Sequence, residues 1–584
     1  MNGLFNKKEL SEERIKKVQL FSAIREKIQE GYTASDFKSD IMSGLVVCMV
    51  AIPLAMALAI ASGVPPQYGL YTVIFGGATV ALLGGSRFQV TGPTAAFVVV
   101  LAPVAQSYGI GGLLFAGMLA GIILVVMGIM RMGRMIQFIP YPVTTGFTAG
   151  IAVVIAILQL KDFLGVKVDL SKSENIFGKL FLILEGFPSI SPYEMAIGVL
   201  TIFCLILWPK VNKKIPAPLV ALCLGTFGAI LVKVLIPEVD ISTLGNRFSY
   251  SVDGVVGNGI PQALPSFSFP WNYKSVLGNP FVITYETFRA ILPSAFAIAI
   301  LGAIESLLSA VVADGMANTK HDPDSELIAL GIGNIICPFF GGIAATGAIA
   351  RTATNIRYGA KSPISSILHA IFTLIVILLF APFVSFLPMA SMAALLLIVA
   401  YNMSEAKHFM HILRVAPKSD VLVLLTCFFL TIIFDMVIGV SVGVVLASLL
   451  FMKRMAQVTT TQLLDFNTDE QKLEHISKNT VVYKVGGPLF FGAAEIAAET
   501  MSNITDDIKV VIFSMHGVPI IDVTGLVALE SAFKKLSNRG RYVLLTEVND
   551  QVQELLNKSN ILNSNPQFKI FKSLDEANKF SSSI

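Results

Sequence analysis

The sequence predicts a polytopic α-helical membrane protein with fourteen spans, arranged as two inverted seven-helix repeats and followed by a small α/β domain. Three observations predict it. The first is composition: the 584 residues are 54% hydrophobic and only 14% charged, with a mean hydropathy of +0.72, against roughly 25% charged in an ordinary soluble protein. The second is an internal duplication, because IPLAMALAI at 52–60 returns as LPSAFAIAI at 292–300. The third is the placement of basic residues, which falls on one side of the membrane under the fourteen-span count.

An apolar run of about 20 residues crosses a bilayer as a helix. By that rule the expected spans are 41–61, 68–84, 93–107, 111–130, 138–160, 192–209, 216–236, 287–313, 325–341, 347–358, 362–385, 387–402, 420–436 and 438–454. They divide into repeat one, about 41–236, and repeat two, about 287–455. Residues 1–40 read as a cytoplasmic tail, 456–478 as a polar linker and 479–584 as the soluble domain. Lys7, Lys8, Arg14, Lys16 and Lys17 of the tail share a side with Arg87, Arg131, Arg134, Lys210, Lys213, Lys214, Lys407, Arg414, Lys418, Lys453 and Arg454. The positive-inside rule makes that side the cytoplasm and places both termini there. Seven spans per repeat is an odd number, so the second repeat enters upside down.

Composition also excludes several classes. A net charge of +4 is too small for nucleic-acid binding, since the basic residues follow topology instead. Cys48, Cys204, Cys223, Cys337 and Cys427 lie in apolar stretches with no CxxC pair, so neither a metal site nor a disulfide is expected. The mixed-charge N-terminus has no apolar region ahead of a small-residue cleavage site, so no cleaved signal peptide is expected.

Two of the expected spans are too short to cross. GGSRFQVTGPTAAF at 84–97 and GGIAATGAIARTA at 341–353 occupy corresponding places in the repeats. Each has a Gly pair, a few extended residues, Thr-Gly, and then a helix of about 12 to 15 residues, roughly 20 Å against a core of about 30 Å. These read as half-helices starting at mid-membrane, with Thr91 and Thr346 as caps and Pro93 in the first turn. Their N-termini would face each other and form an anion site. The competing reading makes both Thr-Gly pairs kinks between packed helices.

Ionisable residues inside spans sharpen the expectation, because each is expensive unless paired or facing a cavity. Glu305, in ILGAIESLLSA, is the carboxylate set deepest in apolar sequence, and Arg351 stands one turn into the second half-helix. Two helix ends of about +0.5 each and the arginine sum to roughly +2, which suits a dianion, or a monoanion with a different stoichiometry, and suggests that Glu305 takes up a proton when the site is loaded. The alternatives are a snorkelling Arg351, as Arg357 looks to be, and a Glu305 that merely pairs with Arg351. Asp314 and Glu326 read as interfacial ion-pair partners near Lys320 and His321, Asp435 as close to the outer surface, and His369 as packed. In the soluble end, TVVYKV, KVVIFSMHG and RYVLLTEVN read as strands alternating with helices.

Taken together, PQYGLY at 66–71, GGSRFQVTGPTAA, VADG and NTKH between 312 and 321, DMVIGVSVGVVLASLLFMKR and IDVTGL resemble the SulP anion transporter family, solute carrier family 26 in animals. The resemblance covers nearly the whole chain, and its soluble part resembles a STAS domain. It implies a core domain moving against a gate domain, a homodimer, and no enzymatic activity or metal. It also implies that a small anion lies between the third and tenth helices, at Gly92, Pro93, Thr94 and Ala95 facing Ala350, Arg351 and Thr352. Glu305 matches the acidic position of the eighth helix, with Ser309 one turn on; the charge count makes Glu305 the proton-coupling acid, with sodium the alternative coupling ion.

Within the family, IPLAMALAIASGV, SRFQVTGPTAAFVV and MAALLLIVAYNMSEA look most similar to the bacterial four-carbon dicarboxylate branch, which implies proton-coupled dicarboxylate symport across the bacterial inner membrane. An inorganic anion such as bicarbonate or sulfate is the alternative, and a channel-like or sensory protein a more distant one. Two positions depart from the family pattern. Leu54 replaces a glutamine of many animal and plant members, and Val523 follows Asp522 where serine is frequent, although Thr524 and Gly525 remain. The STAS domain is expected to regulate the carrier or to bind a cytosolic protein partner.

Overall fold

The computed structural model describes residues 19–134, 140–173, 175–212, 215–252, 255–276, 278–434, 436–458, 460–463, 479–489, 504, 507–559 and 565–584. The five basic residues of the tail, Lys213, Lys214, Asp435, linker residues 464–478 and the helix expected after residue 490 lie outside the described residues. The chain forms two compact units, Met1–Val444 and Val445–Ile584.

Among the described residues, nine helices are long and apolar enough to cross a membrane. The remaining spans are short or broken. In chain order the spans are α1 (Ala34–Ala61), α2 (Pro66–Tyr71, Thr72–Gly77 and Ala78–Leu83), α3 (95–108), α4 (110–129), α5 (Tyr141–Leu164), α6 (Pro192–Val211) and α7 (Ala217–Leu235). The second set is α8 (Tyr285–Ala317), α9 (Pro323–Ile336, continued by the 3₁₀ turn Cys337–Phe340), α10 (Ile349–Arg357), α11 (Ile364–Val384), α12 (Met389–Ser404), α13 (Lys418–Ile433) and α14 (Met436–Val458).

Local chemistry sets several of these boundaries. Thr33 and Asp36 form a reciprocal capping box, so α1 starts at Ala34 and carries a polar turn ahead of its apolar run. The middle of α2 is a wide turn over Thr72–Gly77, where a Cβ at Gly77 would lie 3.0 Å from the Thr91 carbonyl and one at Gly76 would lie 3.2 Å from Ala345 Cβ. Gly109 joins α3 to α4 at φ 69°, and a Cβ there would lie 2.6 Å from the Ser275 backbone, so only glycine fits. Outside the spans, two amphipathic helices, Ile176–Glu185 and Ala406–Val415, occupy connecting segments, and among the described residues four short strands precede the second unit: β1 (Thr91–Gly92), the antiparallel pair β2 (Ser249–Val252) and β3 (Val255–Asn258), and β4 (Thr346–Gly347).

The spans pack as two groups. α1–α4 pack with α8–α11, α5–α7 pack with α12 and α13, and α14 meets α13 at Gly439 and both α13 and α5 at Gly443. α4 crosses α9 closely: a Cβ at Gly121 would sit 2.6 Å from the Gly331 carbonyl, and one at Gly331 would sit 2.6 Å from the Gly121 carbonyl. Backbone lies directly on backbone there, as small residues allow in membranes.

The second unit contains a five-stranded sheet in sequence order: β5 (Thr460–Leu463), β6 (Thr480–Gly486), β7 (Val510–Gly517), β8 (Tyr542–Thr546) and β9 (Phe568–Phe571). β5 pairs antiparallel with β6, and the other three pairings are parallel. Helix Val523–Asn538 covers one face, burying Leu529, Phe533 and Leu536 against Phe513, Leu545 and Phe568. Helix Leu574–Ser581 closes the other face over Val482, Ile512 and Leu544.

Candidate functional site

The two Thr-Gly pairs meet. β1 (Thr91–Gly92) and β4 (Thr346–Gly347) pair antiparallel, with Thr91 opposite Gly347 and Gly92 opposite Thr346. An antiparallel register is what two inverted copies of one extended segment must adopt. The Ala348 N–H donates to the Val90 carbonyl at 2.9 Å, and the Val90 N–H donates to Thr352 Oγ1 at 3.0 Å. α3 and α10 therefore start from one short bridge.

The caps differ from expectation. Thr91 and Thr346 are extended strand residues, and the helices begin later, with Thr94 and Ala348 at the N-cap positions. Thr346 Oγ1 donates to the Gly302 carbonyl at 2.8 Å. Pro93 precedes the cap of α3 instead of occupying its first turn. Thr94 has the chemistry of a cap, yet its hydroxyl donates to Glu305 Oε2 at 2.7 Å. Neither half-helix has a side chain on its first N–H groups, and such groups are ready donors to an anion.

Glu305 is half-buried on α8 with Thr94 as its partner. Arg351 is 3% exposed, and its Nη2 donates to the Pro93 carbonyl at 2.9 Å. Its Nη1 is buried without a hydrogen-bond partner. A Cβ at Gly92 would lie 2.6 Å from that nitrogen, so glycine makes room for the guanidinium. Among the described residues no ion pair joins Glu305 to Arg351, and Arg351 does not snorkel, whereas Arg357 is exposed at the end of α10.

The other expected site residues separate by depth. Gly92, Pro93 and Ala95 are buried at the junction, and Ala350 is exposed at the start of α10. Ser309 and Thr352 are fully buried and bonded to each other at 3.0 Å, which pins α10 to α8. Asp314 does pair with His321, at 2.6 Å. Glu326 does not stand at an interface: it is 1% exposed and accepts from Gly85, Ser86 and Gln89. The missed signal is its spacing after the Gly84–Gly85 pair of the other repeat, a relation invisible before the repeats are packed. His369 is buried, as expected of a packed residue.

In the soluble unit, Asp522 caps the helix that begins at Val523, its Oδ1 accepting from the Gly525 N–H at 2.7 Å. A Cβ at Gly525 would come within 2.2 Å of the Leu489 carbonyl, and Thr524 is exposed. The IDVTGL motif thus has a local structural reason: a cap followed by a close approach. No cluster of metal-binding side chains occurs among the described residues.

Converging half-helices with an open arginine nitrogen at their junction, inside a two-repeat helical block, suit a membrane transporter of anions. The description Sulfate permease family matches residues 37–427, and the STAS domain matches residues 471–577. The chain belongs to that family; it is a multi-pass anion transporter and not an enzyme. It is 38% identical over 548 residues to YvdB of Bacillus subtilis (strain 168), named as a candidate sulfate transporter, covering 94% of this chain and 98% of that one. It is 30% identical over 566 residues to the bicarbonate transporter BicA of a Picosynechococcus species, covering 93% of this chain and 94% of that one. A murine Solute Carrier 26 family anion transporter, solved in the inward-facing state, shares the fold with a TM-score of 0.82 at 18% identity, covering 100% of this chain and 96% of that one. YvdB and BicA bear names of inorganic anions, and none of the three is named for dicarboxylates.

Proposed function

We propose that the protein is a secondary active carrier of a small inorganic anion, bicarbonate or sulfate, that works by alternating access and takes a proton or sodium as its coupling ion. The observation that carries this reading is Arg351 Nη1, buried and unpaired beside Gly92, where two uncapped helix starts converge. A buried guanidinium N–H without an acceptor is costly, and an anion oxygen supplies the missing acceptor. The names of the 38% and 30% identical relatives support the inorganic class.

The seat holds about +0.5 from each helix start and +1 from Arg351. Sulfate balances that sum by itself, and bicarbonate balances it together with an ionised Glu305. With sulfate bound, an ionised Glu305 would leave an excess negative charge in a poorly solvated site, so a proton on Glu305 or a sodium ion beside it completes the load. Thr94 and Glu305 then report the state of the coupling site to the start of α3 through their hydrogen bond. Gly92, Pro93, Thr94, Ala95, Ala350, Arg351 and Thr352 form the wall of the seat, with Ser309 behind it.

A second reading keeps the four-carbon dicarboxylates. Leu54 on α1 is half-buried and apolar where many relatives carry an amide, and an apolar wall suits a carbon chain. In either reading the carrier is a homodimer in the bacterial cytoplasmic membrane with both termini in the cytoplasm, and Thr524 is exposed for a cytosolic partner of the STAS domain.

The deciding experiment is uptake by purified, reconstituted protein at two pH values, with and without sodium, for sulfate, bicarbonate, succinate and fumarate. Saturable, gradient-driven uptake of sulfate or bicarbonate is expected. Uptake restricted to succinate and fumarate would move the assignment to the second reading, and passive conductance without accumulation would reject a carrier.

A further inference from the structure

Two loops lead the chain into the half-helices, and α9 fastens both with buried polar side chains that lie outside the anion seat. Glu326 Oε2 accepts from the N–H groups of Gly85 and Ser86 at 2.9 and 3.0 Å, and its Oε1 accepts from the Gln89 amide at 2.8 Å. Among the described residues no cation forms an ion pair with it. A Cβ at Gly84 would sit 2.7 Å from Glu326 Oε2, so the glycine exists to let the carboxylate reach the loop backbone. Two turns further along α9, Asn334 is 1% exposed and grips the other loop at one residue. Its Oδ1 accepts from the Ala345 N–H at 2.8 Å, and its Nδ2 donates to the Ala345 carbonyl at 2.9 Å.

Gln89 carries the hold further. Its side-chain amide also donates to Ser306 Oγ at 2.5 Å, on the residue next to Glu305, and its backbone carbonyl accepts from Ser366 Oγ at 2.8 Å. The bridge between the half-helices is only two residue pairs long, and a two-stranded pairing of that kind is marginal without support.

We propose that Glu326 and Asn334 are positioning residues for the anion seat: α9 acts as a ruler that sets the register in which the two half-helix starts meet, and Gln89 transmits the hold of Glu326 to the helix bearing Glu305. The proposal rests on the anion-carrier reading for its functional consequence and on the hydrogen bonds alone for its structural one. Convergent donors lose strength when displaced by about 1 Å, a shift that costs on the order of a hundredfold at a well-built site. A half-helix start freed from its latch therefore weakens anion binding although no ligand group has been removed.

The test uses Glu326→Gln, Asn334→Asp, their double variant and the milder Ser306→Ala in the full chain. In proteoliposomes each of the first two is expected to raise the anion KM about tenfold with Vmax changed less than about threefold, and the double variant to fall short of the product because both act on one geometry. Amide hydrogen exchange supplies a readout that needs no transport. Glu326→Gln should speed exchange in 341–348 as well as 84–92, and Asn334→Asp should speed it in 84–92 as well as 341–348.

Acceleration confined to the loop that each residue touches, or an unchanged KM with only a lower thermal midpoint, would overturn the ruler and leave two local structural bonds. If wild-type protein carries none of the anions tested, the function fails while the exchange result still decides the ruler. Should the α9 variants not fold, Ser306→Ala decides it: a KM raised about threefold supports transmission through Gln89, and an unchanged KM rejects it.

Discussion

Arg351 is held by one nitrogen and open at the other. Nη2 is bonded to Pro93, which fixes the plane of the guanidinium, and the partnerless Nη1 lies against Gly92. Arg351→Ala is therefore expected to raise the anion KM at least tenfold, since truncating one side of a buried charged contact costs roughly 2–5 kcal/mol. Arg351→Lys should not restore it, because a single ammonium cannot both hold Pro93 and present a second donor. Initial uptake rates over a range of anion concentrations check both, and a normal KM in the alanine variant would remove Arg351 from the seat.

Glu305 calls for a different measurement. Glu305→Gln is expected to abolish proton-driven accumulation while leaving anion exchange partly active, because the amide still fits beside Thr94 but cannot change charge. Accumulation and exchange measured on the same vesicles separate the two effects, and an unaltered pH dependence of accumulation would reject the coupling role. Glu305 and Arg351 were both legible in the sequence, for each interrupts a long apolar run. Glu326 was not, because an acid in the first turn of a helix that follows Asp322 looks like ordinary N-terminal decoration. Only packing shows that its partners come from a loop in the other repeat.

At the scale of elements, the half-helices depend on broken spans and on tight crossings. The expected boundaries followed the apolar runs closely, but the caps did not. Thr-Gly before a helix reads as a cap when the chain is considered alone. Here the second copy of the same dipeptide pairs with it, and strand pairing takes the backbone groups that capping would have used. The crossing of α4 on α9 supports the rod on which both loops hang, and it has no spare volume. Gly121→Val is expected to lower stability by about 1–3 kcal/mol, the usual cost of overpacking, because a Cβ there would stand 2.6 Å from the Gly331 carbonyl and 2.9 Å from Ile335 Cγ1. Thermal unfolding in detergent measures this, and an unchanged midpoint would mean that the crossing yields easily.

For the whole molecule, the soluble unit has a core of its own on each face of its sheet, so it is expected to be stable without the membrane unit. Residues 460–584 produced alone are expected to unfold in one cooperative transition that matches the soluble-domain transition of the full chain. A non-cooperative melt followed by circular dichroism would show that the membrane unit is needed to complete the fold.

Composition, the repeated IPLAMALAI and LPSAFAIAI segments and the distribution of arginine and lysine by themselves determined the class of the protein, its inverted duplication and the two half-helices. Those properties follow from transfer free energy and chain length, which act on each segment independently. What only the tertiary structure decided is which polar groups meet: Thr94 with Glu305, Arg351 with Pro93, and Glu326 with the loop of the opposite repeat. Those pairings join residues hundreds of positions apart, and their partners are selected by three-dimensional closure of the two repeats, a relation that no local pattern encodes.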